Sequence, residues 1–318
     1  MALFEELKVF SGTAHPKLTR EVCDYLGTSV GRSEAFKFSN DNTFVRILEN
    51  VRQRDVFFVQ PLCTPVNDHV MEVLISIDAA KRASAGRITA VLPFYAYGRT
   101  DKKDQPRVPI TARLLADLIT VAGADRVLTM DLHAPQIQGF FNIPVDELTA
   151  LPLLARYFRA KRLPDLVVVA TDVGDSRRAR NVARLLDAPI AIVEKQRFAN
   201  QERVEAVNLI GEVADHTALI VDDEVDTGGT VLAAVDILLK RGAKEVYACC
   251  THPILSGNAM QRLVASPIKE LVITNTIPIP EAGRNGKITV LSVAALLGEA
   301  IHRIHSGLSV GAMFEQES

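Results

Sequence analysis

Tryptophan is absent from this 318-residue sequence, and aromatic residues together make up only 6% of it. Neither sign of charge prevails, because 36 basic residues are balanced by 38 acidic ones and the formal net charge is -2. A chain without a basic surplus does not bind nucleic acid or anionic membranes through bulk charge, although a local basic patch is compatible with it. We therefore expect no nucleic-acid partner.

Long apolar runs are also missing. No hydrophobic stretch approaches the ~20 residues of a membrane-spanning helix, and the segment Met1–Phe10 is too charged for a signal peptide. Cysteine is sparse, and its spacing fits no metal site: Cys23, Cys63, Cys249 and Cys250. So few cysteines are typical of a reducing compartment, where they pack as small hydrophobic residues. We expect a cytoplasmic protein without a membrane partner.

The composition is that of a globular chain with a full core, since 48% of the residues are hydrophobic and 23% are charged. The length is about twice that of a usual domain, which predicts two domains. Apolar runs such as Leu166–Ala170 do not alternate with polar residues, so both faces of such strands should be covered. The predicted fold class is α/β, with mostly parallel sheets flanked by helices.

Predicted strands alternate with predicted helices along most of the chain. The strands are Lys8–Phe10, Asp55–Gln60, Arg87–Leu92, Arg126–Met130, Asp165–Ala170, Ile190–Val193, Ala218–Val221, Glu245–Cys249 and Glu270–Thr274. The helices, with apolar residues at 3.6-residue spacing, are Pro16–Leu26, Asn67–Ala83, Thr111–Ala122, Ser176–Leu186 and Thr230–Lys240. Proline at a helix start and glycine after a helix end support these bounds, as at Pro16 and Gly27.

A faint internal repeat supports two similar halves. Gly123-Ala124 and Gly242-Ala243 each end a predicted helix and begin a strand, and His133 and His252 each follow ten residues after the glycine. The halves should meet near Asp146–Pro152, which divides the chain into residues 1–150 and 151–318. The segment after residue 307 is expected to return to the first half.

The strongest functional signal is Ala218–Thr230, where a β-branched run ends in acids and enters a Thr-Gly-Gly-Thr turn that opens a helix. Ligands bind at the carboxyl ends of parallel strands, and such a turn offers N–H groups and a favourable dipole to a phosphate. Asp222 and Asp223 can hold sugar hydroxyls or Mg²⁺, and the flanking threonines add hydroxyl donors. A capped turn with solvated acids is the structural alternative, and the specialised sequence favours the functional one.

Ala218–Thr230 resembles the phosphoribosyl-pyrophosphate motif of type I phosphoribosyltransferase folds. Further segments make the whole chain similar to the ribose-phosphate diphosphokinases, or phosphoribosyl-pyrophosphate synthetases. These segments are Asp131–Phe141, Tyr97–Lys103, Pro65–His69, Lys81–Ala85 and Val246–Pro253. The resemblance implies two phosphoribosyltransferase-like domains, with ATP bound by residues 1–150 and with ribose 5-phosphate and the catalytic loop in residues 151–318.

The implied reaction transfers the β,γ-diphosphoryl group of ATP to the anomeric hydroxyl of ribose 5-phosphate and releases AMP. The implied cofactor is Mg²⁺, and the implied assembly is a homo-hexamer built from dimers. The implied catalytic residues are Lys195 and Arg197, and the implied metal ligands are His133 and Asp172. The implied ATP contacts are Phe38, Asn40, Asn42, Arg99, Thr100 and Asp104. The implied ribose 5-phosphate contacts are Asp222, Asp223, Asp226, Thr227, Gly228, Gly229 and Thr230.

Several of these assignments have a structural alternative. A Lys-x-Arg run is commonly a solvated surface pair, and a histidine after a strand often caps a turn. Mg²⁺ prefers oxygen ligands, so a contact from His133 could run through water. His252, with no acid or glycine-rich loop beside it, is interpreted as structural.

The sequence departs from the family pattern at several positions. Asp175 stands where the diphosphate loop usually has glycine, Thr100 replaces a glutamine, Asn42 replaces a glutamate, and Gly311 replaces the second serine of a regulatory Ser-x-Ser. Two other functions stay open at this point: a phosphoribosyltransferase that consumes phosphoribosyl pyrophosphate, and a non-catalytic relative that regulates a true synthetase. The Arg99 and His133 segments disfavour the first, and the retained Lys195 and Arg197 disfavour the second.

Overall fold

The structure, a computed structural model, describes residues 6–196, 206–281 and 286–315. Up to residue 149 the elements are β1 Leu7–Ser11, α1 Pro16–Leu26, β2 Val30–Gly31, β3 Ser33–Lys37, β4 Thr43–Ile47, β5 Asp55–Val59, α2 Val66–Arg82, β6 Arg87–Leu92, α3 Thr111–Ala122, β7 Arg126–Met130, a 3₁₀ helix Pro135–Phe140 and β8 Val145–Leu148. From residue 150 they are α4 Leu151–Lys161, β9 Leu166–Ala170, α5 Ser176–Leu186, β10 Ile190–Gln196, β11 Ala206–Ile210, β12 Thr217–Val225, α6 Gly229–Lys240, β13 Glu245–Pro253, α7 Ala259–Ala265, β14 Glu270–Thr274, β15 Ile288–Leu291, α8 Ala294–Ser306 and α9 Ala312–Glu315.

The chain forms two units. The first comprises the residues up to Thr149 together with Thr276–Pro278 and Ser292–Ser318, and the second comprises Ala150–Asn275 and Ile279–Leu291. The sequence interpretation placed the whole of 151–318 in a second domain, whereas the structure groups Thr276–Pro278 and the segment from Ser292 onward, which includes helix α8, with the first unit.

Polar contacts fix α8 within the first unit. The Tyr25 hydroxyl on α1 donates to Glu299 at 2.9 Å. Asp55, fully buried at the start of β5, pairs with Arg87 at 2.5 Å and lies 2.9 Å from Nδ1 of His305. A buried carboxylate needs such partners, so helix α8 completes the first unit.

The sheet of the first unit has the order β2-β1-β5-β6-β7-β8, and all of its strands are parallel. The carboxyl ends of β6 and β7 are therefore neighbours, and the segments after Leu92 and Met130 leave the same edge. A separate antiparallel hairpin joins β3 and β4. The sequence prediction missed this hairpin because its strands are short and half exposed and lack a continuous apolar run.

The sheet of the second unit has the order β11-β10-β9-β12-β13-β14-β15. Among the described strands of this second sheet, only β10 and β11 pair in the antiparallel direction. Alternate residues of β9 enter different cores, with Val167 and Val169 in one and Val168 and Ala170 in the other. The prediction that apolar strands are covered on both faces is confirmed.

Helix bounds are close to their predicted positions, and α1, α3 and α5 have the predicted ends. Several strands are longer than predicted. Among them, β12 continues to Val225 and β13 continues to Pro253, with Glu224 paired to His252. The extensions contain polar residues, so the sequence offers no apolar pattern that would predict them. Pairing between the two parallel strands holds these polar residues in the sheet. The acids of the phosphate motif therefore lie on a strand rather than in the turn that follows it.

The four cysteines are buried, as predicted for residues that pack as small hydrophobic groups, and none forms a disulfide. Burial raises the pKa of both Cys23 and Cys63 to about 11, as expected for thiols that pack as hydrophobic groups. In the described ranges, no helix combines the length and the apolar character that a bilayer crossing requires.

Candidate active site

The Thr-Gly-Gly-Thr turn joins the end of β12 to helix α6 in the second unit. Gly228 adopts a left-handed conformation with φ 73°, and a Cβ there would lie 3.3 Å from Leu263, so glycine suits both the turn and its packing. No side chain in the described part caps the first turn of α6, which begins at Gly229. Its N–H groups and positive dipole end are therefore arranged as an anion site flanked by the exposed Thr227 and Thr230.

The acid pair of the motif lies on β12, and the Thr-Gly-Gly-Thr turn follows it in the sequence. Asp222 and Asp223 are 7% and 3% exposed. The Thr171 hydroxyl, in the loop after the neighbouring strand β9, lies 3.2 Å from Asp222 Oδ2. Pairing of β9 with β12 brings this loop to the acids, although the two segments are about 50 residues apart in sequence.

The loop after β9 adds a third carboxylate, that of Asp175. Single oxygens of Asp175, Asp222 and Asp223 lie within 4.8 Å of one another. Burial, followed by the negative charges of Asp175 and Asp223, raises the pKa of Asp222 well above its ordinary value. Asp175, which stands where the family usually has glycine, therefore places an extra negative charge beside Asp222 and Asp223.

Arg178, on the first turn of α5, is a site residue that the sequence analysis missed. Its guanidinium lies 3.8 Å from both Asp175 and Asp223, and its side chain is 15% exposed. The positive charge acts against the rise in the pKa of Asp222. Its position three residues after Asp175, on the same helix face, was the available signal.

This donor set suits a hard divalent cation, because three carboxylates from the same unit can supply oxygen ligands. Asp172, the predicted ligand in this unit, is exposed, and its Oδ1 accepts a hydrogen bond from the Asp175 N–H at 2.9 Å. His133, the predicted ligand in the first unit, is exposed directly after β7. Their joint role in binding a metal stays a prediction.

The predicted catalytic residues, Lys195 and Arg197, follow β9 and α5 along the chain. Lys195 belongs to β10, where its backbone pairs with Val207 of the antiparallel β11. The sequence prediction ended the strand at Val193, so the placement of Lys195 in a loop was wrong: antiparallel pairing extends the strand through Gln196. Arg197 lies outside the described residues.

The predicted ATP-phosphate contact, Arg99, lies on an exposed turn after β6 in the first unit. Gly98 brings this turn close to His133, because a Cβ at Gly98 would lie 3.2 Å from the His133 Cβ. Phe94 and Tyr95, which precede the turn, are buried, whereas Tyr97 is 38% exposed. Asp104 lies further along the same loop and is exposed.

The predicted adenine contacts occupy the turn of the β3–β4 hairpin. Phe38 is 48% exposed and forms edge contacts with Phe36 and Phe44, at centroid distances of 5.2 and 5.6 Å. The Phe38 N–H donates to the Asn42 carbonyl at 2.9 Å, and Asn40 Oδ1 accepts from the Asn42 N–H at 3.3 Å. The hairpin thus presents an apolar ring beside two amides, a surface that suits a purine base.

Two mostly parallel sheets flanked by helices, with acids and a glycine-rich anion turn at a strand end, define the phosphoribosyltransferase-like class. Two family models match the chain: the N-terminal domain of ribose phosphate pyrophosphokinase over residues 7–123 and the phosphoribosyl synthetase-associated domain over residues 193–315. The chain therefore belongs to the ribose-phosphate pyrophosphokinase family, as the sequence motifs indicated.

Named relatives match over nearly the full length. The ribose-phosphate pyrophosphokinase of Clostridium acetobutylicum is 53% identical over 315 residues, which cover 98% of each chain. That of Caldanaerobacter subterraneus is 54% identical over 309 residues, covering 97% of this chain and 98% of the relative. The crystal structure of phosphoribosylpyrophosphate synthetase from Mycobacterium smegmatis matches with a TM-score of 0.90 and 44% identity, over 94% of this chain and 99% of that one.

Proposed function

We propose that this protein transfers the diphosphoryl group of ATP to the anomeric hydroxyl of ribose 5-phosphate, forming 5-phosphoribosyl 1-diphosphate and AMP. The observation that carries the proposal is the acid pair on β12 followed by the uncapped, glycine-rich start of α6. The carboxylates can accept hydrogen bonds from sugar hydroxyls, and the start of α6, which follows them in the sequence, can bind a phosphate. A phosphorylated sugar requires both. Family membership supports the choice of substrate.

Ribose 5-phosphate is assigned to the second unit. Its phosphate binds the N–H groups at the start of α6 and the hydroxyls of Thr227 and Thr230, with Gly228 and Gly229 allowing close approach. Asp222 and Asp223 accept hydrogen bonds from the ribose hydroxyls. Asp226, which lies between the acids and the turn, is the remaining residue assigned to ribose 5-phosphate.

ATP is assigned to the first unit. Arg99 binds its phosphates through the planar guanidinium, and Asp104 lies on the same loop. The hairpin turn holds adenine, with Phe38 covering the ring and Asn40 and Asn42 facing its polar edges. In this proposal the hairpin serves a neighbouring copy of the chain, which makes the active unit at least a dimer within a hexamer.

The anomeric hydroxyl attacks the β-phosphorus of ATP, the bond from this phosphorus to the bridging oxygen that leaves with AMP breaks, and the hydroxyl proton passes to solvent water. Negative charge spreads over the phosphoryl oxygens as AMP leaves. Lys195 and Arg197 stabilise that charge, the lysine as a point charge and the arginine as a fork. Positioning and electrostatic stabilisation then account for most of the catalysis.

Metal binding is assigned to the carboxylates around Asp222 and Asp223, together with Asp172 and His133. Mg²⁺ would supply neutralisation of phosphate charge and a fixed orientation of the ribose hydroxyls. Asp175 lies within reach of the same site and can serve as an additional oxygen ligand, a role that glycine cannot take. We further assign the protein to the cytoplasm.

The test is a mixture of purified protein, ATP, Mg²⁺ and ribose 5-phosphate, followed by chromatography for AMP and 5-phosphoribosyl 1-diphosphate. We expect AMP to form in equal amount to the ribose 5-phosphate consumed, and chelation by EDTA to stop its formation. AMP formation without ribose 5-phosphate would contradict the reaction. No turnover by folded protein would favour the non-catalytic relative, and release of diphosphate from 5-phosphoribosyl 1-diphosphate with a nucleobase would favour a phosphoribosyltransferase.

A further inference from the structure

The turn that carries Arg99 is held in an unfavourable backbone conformation. Tyr97 has φ 62°, in the left-handed region, although it is neither glycine nor a small polar residue. A bulky residue adopts this conformation only where its surroundings hold it there, and such positions concentrate at functional sites. We call residues Tyr97–Thr100 the arginine turn.

Thr100 closes the arginine turn with two hydrogen bonds to the same atom. Its backbone N–H donates to the Tyr97 carbonyl at 2.9 Å, and its side-chain hydroxyl donates to that carbonyl at 2.8 Å. The hydroxyl has a single hydrogen, so this bond uses its donor capacity. A glutamine, the usual family residue here, has a longer side chain without a hydroxyl at this branch point and cannot make the same short bond.

Neighbouring elements fix both ends of the arginine turn. The Tyr97 hydroxyl donates to Asn67 Oδ1, on the first turn of α2, at 2.5 Å. At the other end the Thr100 carbonyl accepts from the N–H of Ala112 on α3 at 3.3 Å, and the buried Tyr95 donates to the Ala112 carbonyl at 2.8 Å. Tyr97 is thus held from α2, and Thr100 is held from α3.

From these contacts we infer that Thr100, Tyr97 and Asn67 form a hydrogen-bonded clamp that positions Arg99, and that Thr100 acts in this clamp rather than by contacting ATP. The inference rests on the proposed role of Arg99 at the ATP phosphates. It also replaces the sequence assignment of Thr100 as an ATP contact. When the clamp is weakened, the binding-competent turn is populated for a smaller fraction of the time, and the apparent affinity for ATP falls by that fraction.

The experiment compares Thr100→Val with Thr100→Ser, which retains the hydroxyl, using initial rates and hydrogen exchange of the ligand-free protein. A net hydrogen bond corresponds to about 2- to 12-fold in an equilibrium, so T100V should raise the KM for ATP by roughly that factor. Bound ATP restores the competent turn, so kcat should change by less than about 2-fold. Exchange of the amides in residues 97–101 should be faster without ATP in T100V, and T100S should lie near the parent in both measurements.

Two further comparisons use the hydrogen-bond partners of Tyr97 and Thr120. Tyr97→Phe removes only the hydroxyl that bonds Asn67, and combining it with Asn67→Ala should add nothing beyond the larger single effect. Thr120→Val is the matched control, because the Thr120 hydroxyl also donates to a carbonyl, that of Ala116 on α3, at 2.8 Å. It should leave the exchange of residues 97–101 unchanged.

The outcomes separate this inference from the proposed function. A higher KM in T100V with unchanged exchange in the ligand-free protein would mean that Thr100 contacts ATP directly, and would overturn the clamp. An unchanged KM in T100V, alongside a raised KM in Arg99→Ala, would also overturn the clamp and leave the role of Arg99 intact. If Arg99→Ala itself left the KM for ATP unchanged, the proposed ATP contact would fail, and the inference with it.

Discussion

Asp175 and Asp222 share one hydroxyl group. Thr171 Oγ1 lies 3.5 Å from Asp175 Oδ2 and 3.2 Å from Asp222 Oδ2. Because a hydroxyl has one hydrogen, it donates to only one of the two carboxylates at a time. Burial and the nearby charge of Asp175 raise the pKa of Asp222, so the residue that replaces the family's glycine destabilises the ionised acid pair when no cation is bound.

Asp175→Asn should therefore stabilise the metal-free protein in a pH-dependent way. An acid whose pKa is raised by folding contributes stability that is present below its ordinary value of 3.8 and is lost as the pH rises through the folded value. Removing one cause of the raised pKa should increase the melting temperature at pH 8 by about 2–4 °C, or roughly 1 kcal/mol. The gain should shrink as the pH falls toward 4, which thermal melts in EDTA can measure.

Asp187→Asn is the matched control, because it removes the same charge from the exposed carboxyl end of the same helix, α5. Any effect of this variant should not increase above pH 6. If Asp175→Asn were equally stabilising at pH 4 and pH 8, or destabilising at pH 8, the electrostatic account of Asp175 would be wrong.

Lys195→Ala should lower kcat by about 10²–10³-fold and leave ribose 5-phosphate binding nearly unchanged. The reason is that its charge acts chiefly as the diphosphoryl group moves, which corresponds to roughly 3–4 kcal/mol of transition-state stabilisation. Steady-state rates together with calorimetric binding of ribose 5-phosphate check this. Lys240→Ala, at the exposed end of α6, serves as the control. A near-normal kcat with only a raised KM would identify Lys195 as a ground-state contact.

Asp222→Asn combined with Asp223→Asn should weaken ribose 5-phosphate binding by at least about 10-fold. Hydrogen bonds to charged groups contribute roughly 1.5–3 kcal/mol, and neutral amides hold hydroxyls and cations less well. Isothermal titration with Mg²⁺ present measures the change, and Asp236→Asn on the exposed face of α6 provides the control. Equal affinity in the double variant and the parent would remove these acids from the site.

Activation by inorganic phosphate should be weaker in this protein than is usual for its family. The Ser309 hydroxyl accepts a hydrogen bond from the Ala312 N–H at 3.4 Å and keeps its own hydrogen to donate, whereas Gly311 has no side chain to donate to a phosphate. We expect weak activation by inorganic phosphate and ADP inhibition that is relieved by saturating ATP. Initial rates across phosphate and ADP concentrations test both expectations.

Gly311→Ser should strengthen phosphate activation by about 10-fold or more, since one hydrogen bond to a charged phosphate is restored. The position has room, because a Cβ there would lie 3.6 Å from Ser309 Oγ. Gly311→Ala adds the same carbon without the hydroxyl and should not strengthen activation. Strong phosphate activation of the parent protein, with ADP inhibition that persists at saturating ATP, would contradict this prediction.

Local chemistry was sufficient to predict much of the fold. Proline at the first residue of α1 and a left-handed glycine after it set the bounds of that helix, and Gly123 does the same for the end of α3. Continuous apolar runs identified β9 as a strand buried on both faces. These features depend on residues within one turn or one strand of each other, so the sequence carries them directly.

The sequence by itself determined the family, the fold class and the anion turn, because each is written in contiguous residues. Tertiary structure alone decided that Asp175 meets Asp222, that Arg178 joins them, and that β12 carries the acids within the sheet. It also decided that the Thr100 hydroxyl closes the arginine turn and that α8 completes the first unit. The contacts of Asp175 and Arg178 with the acids of β12 depend on the register of the paired strands β9 and β12. The Thr100 bond spans only three residues but requires the left-handed turn at Tyr97. Helix α8 is held by Tyr25 and Asp55, which are 250 or more positions away in the sequence.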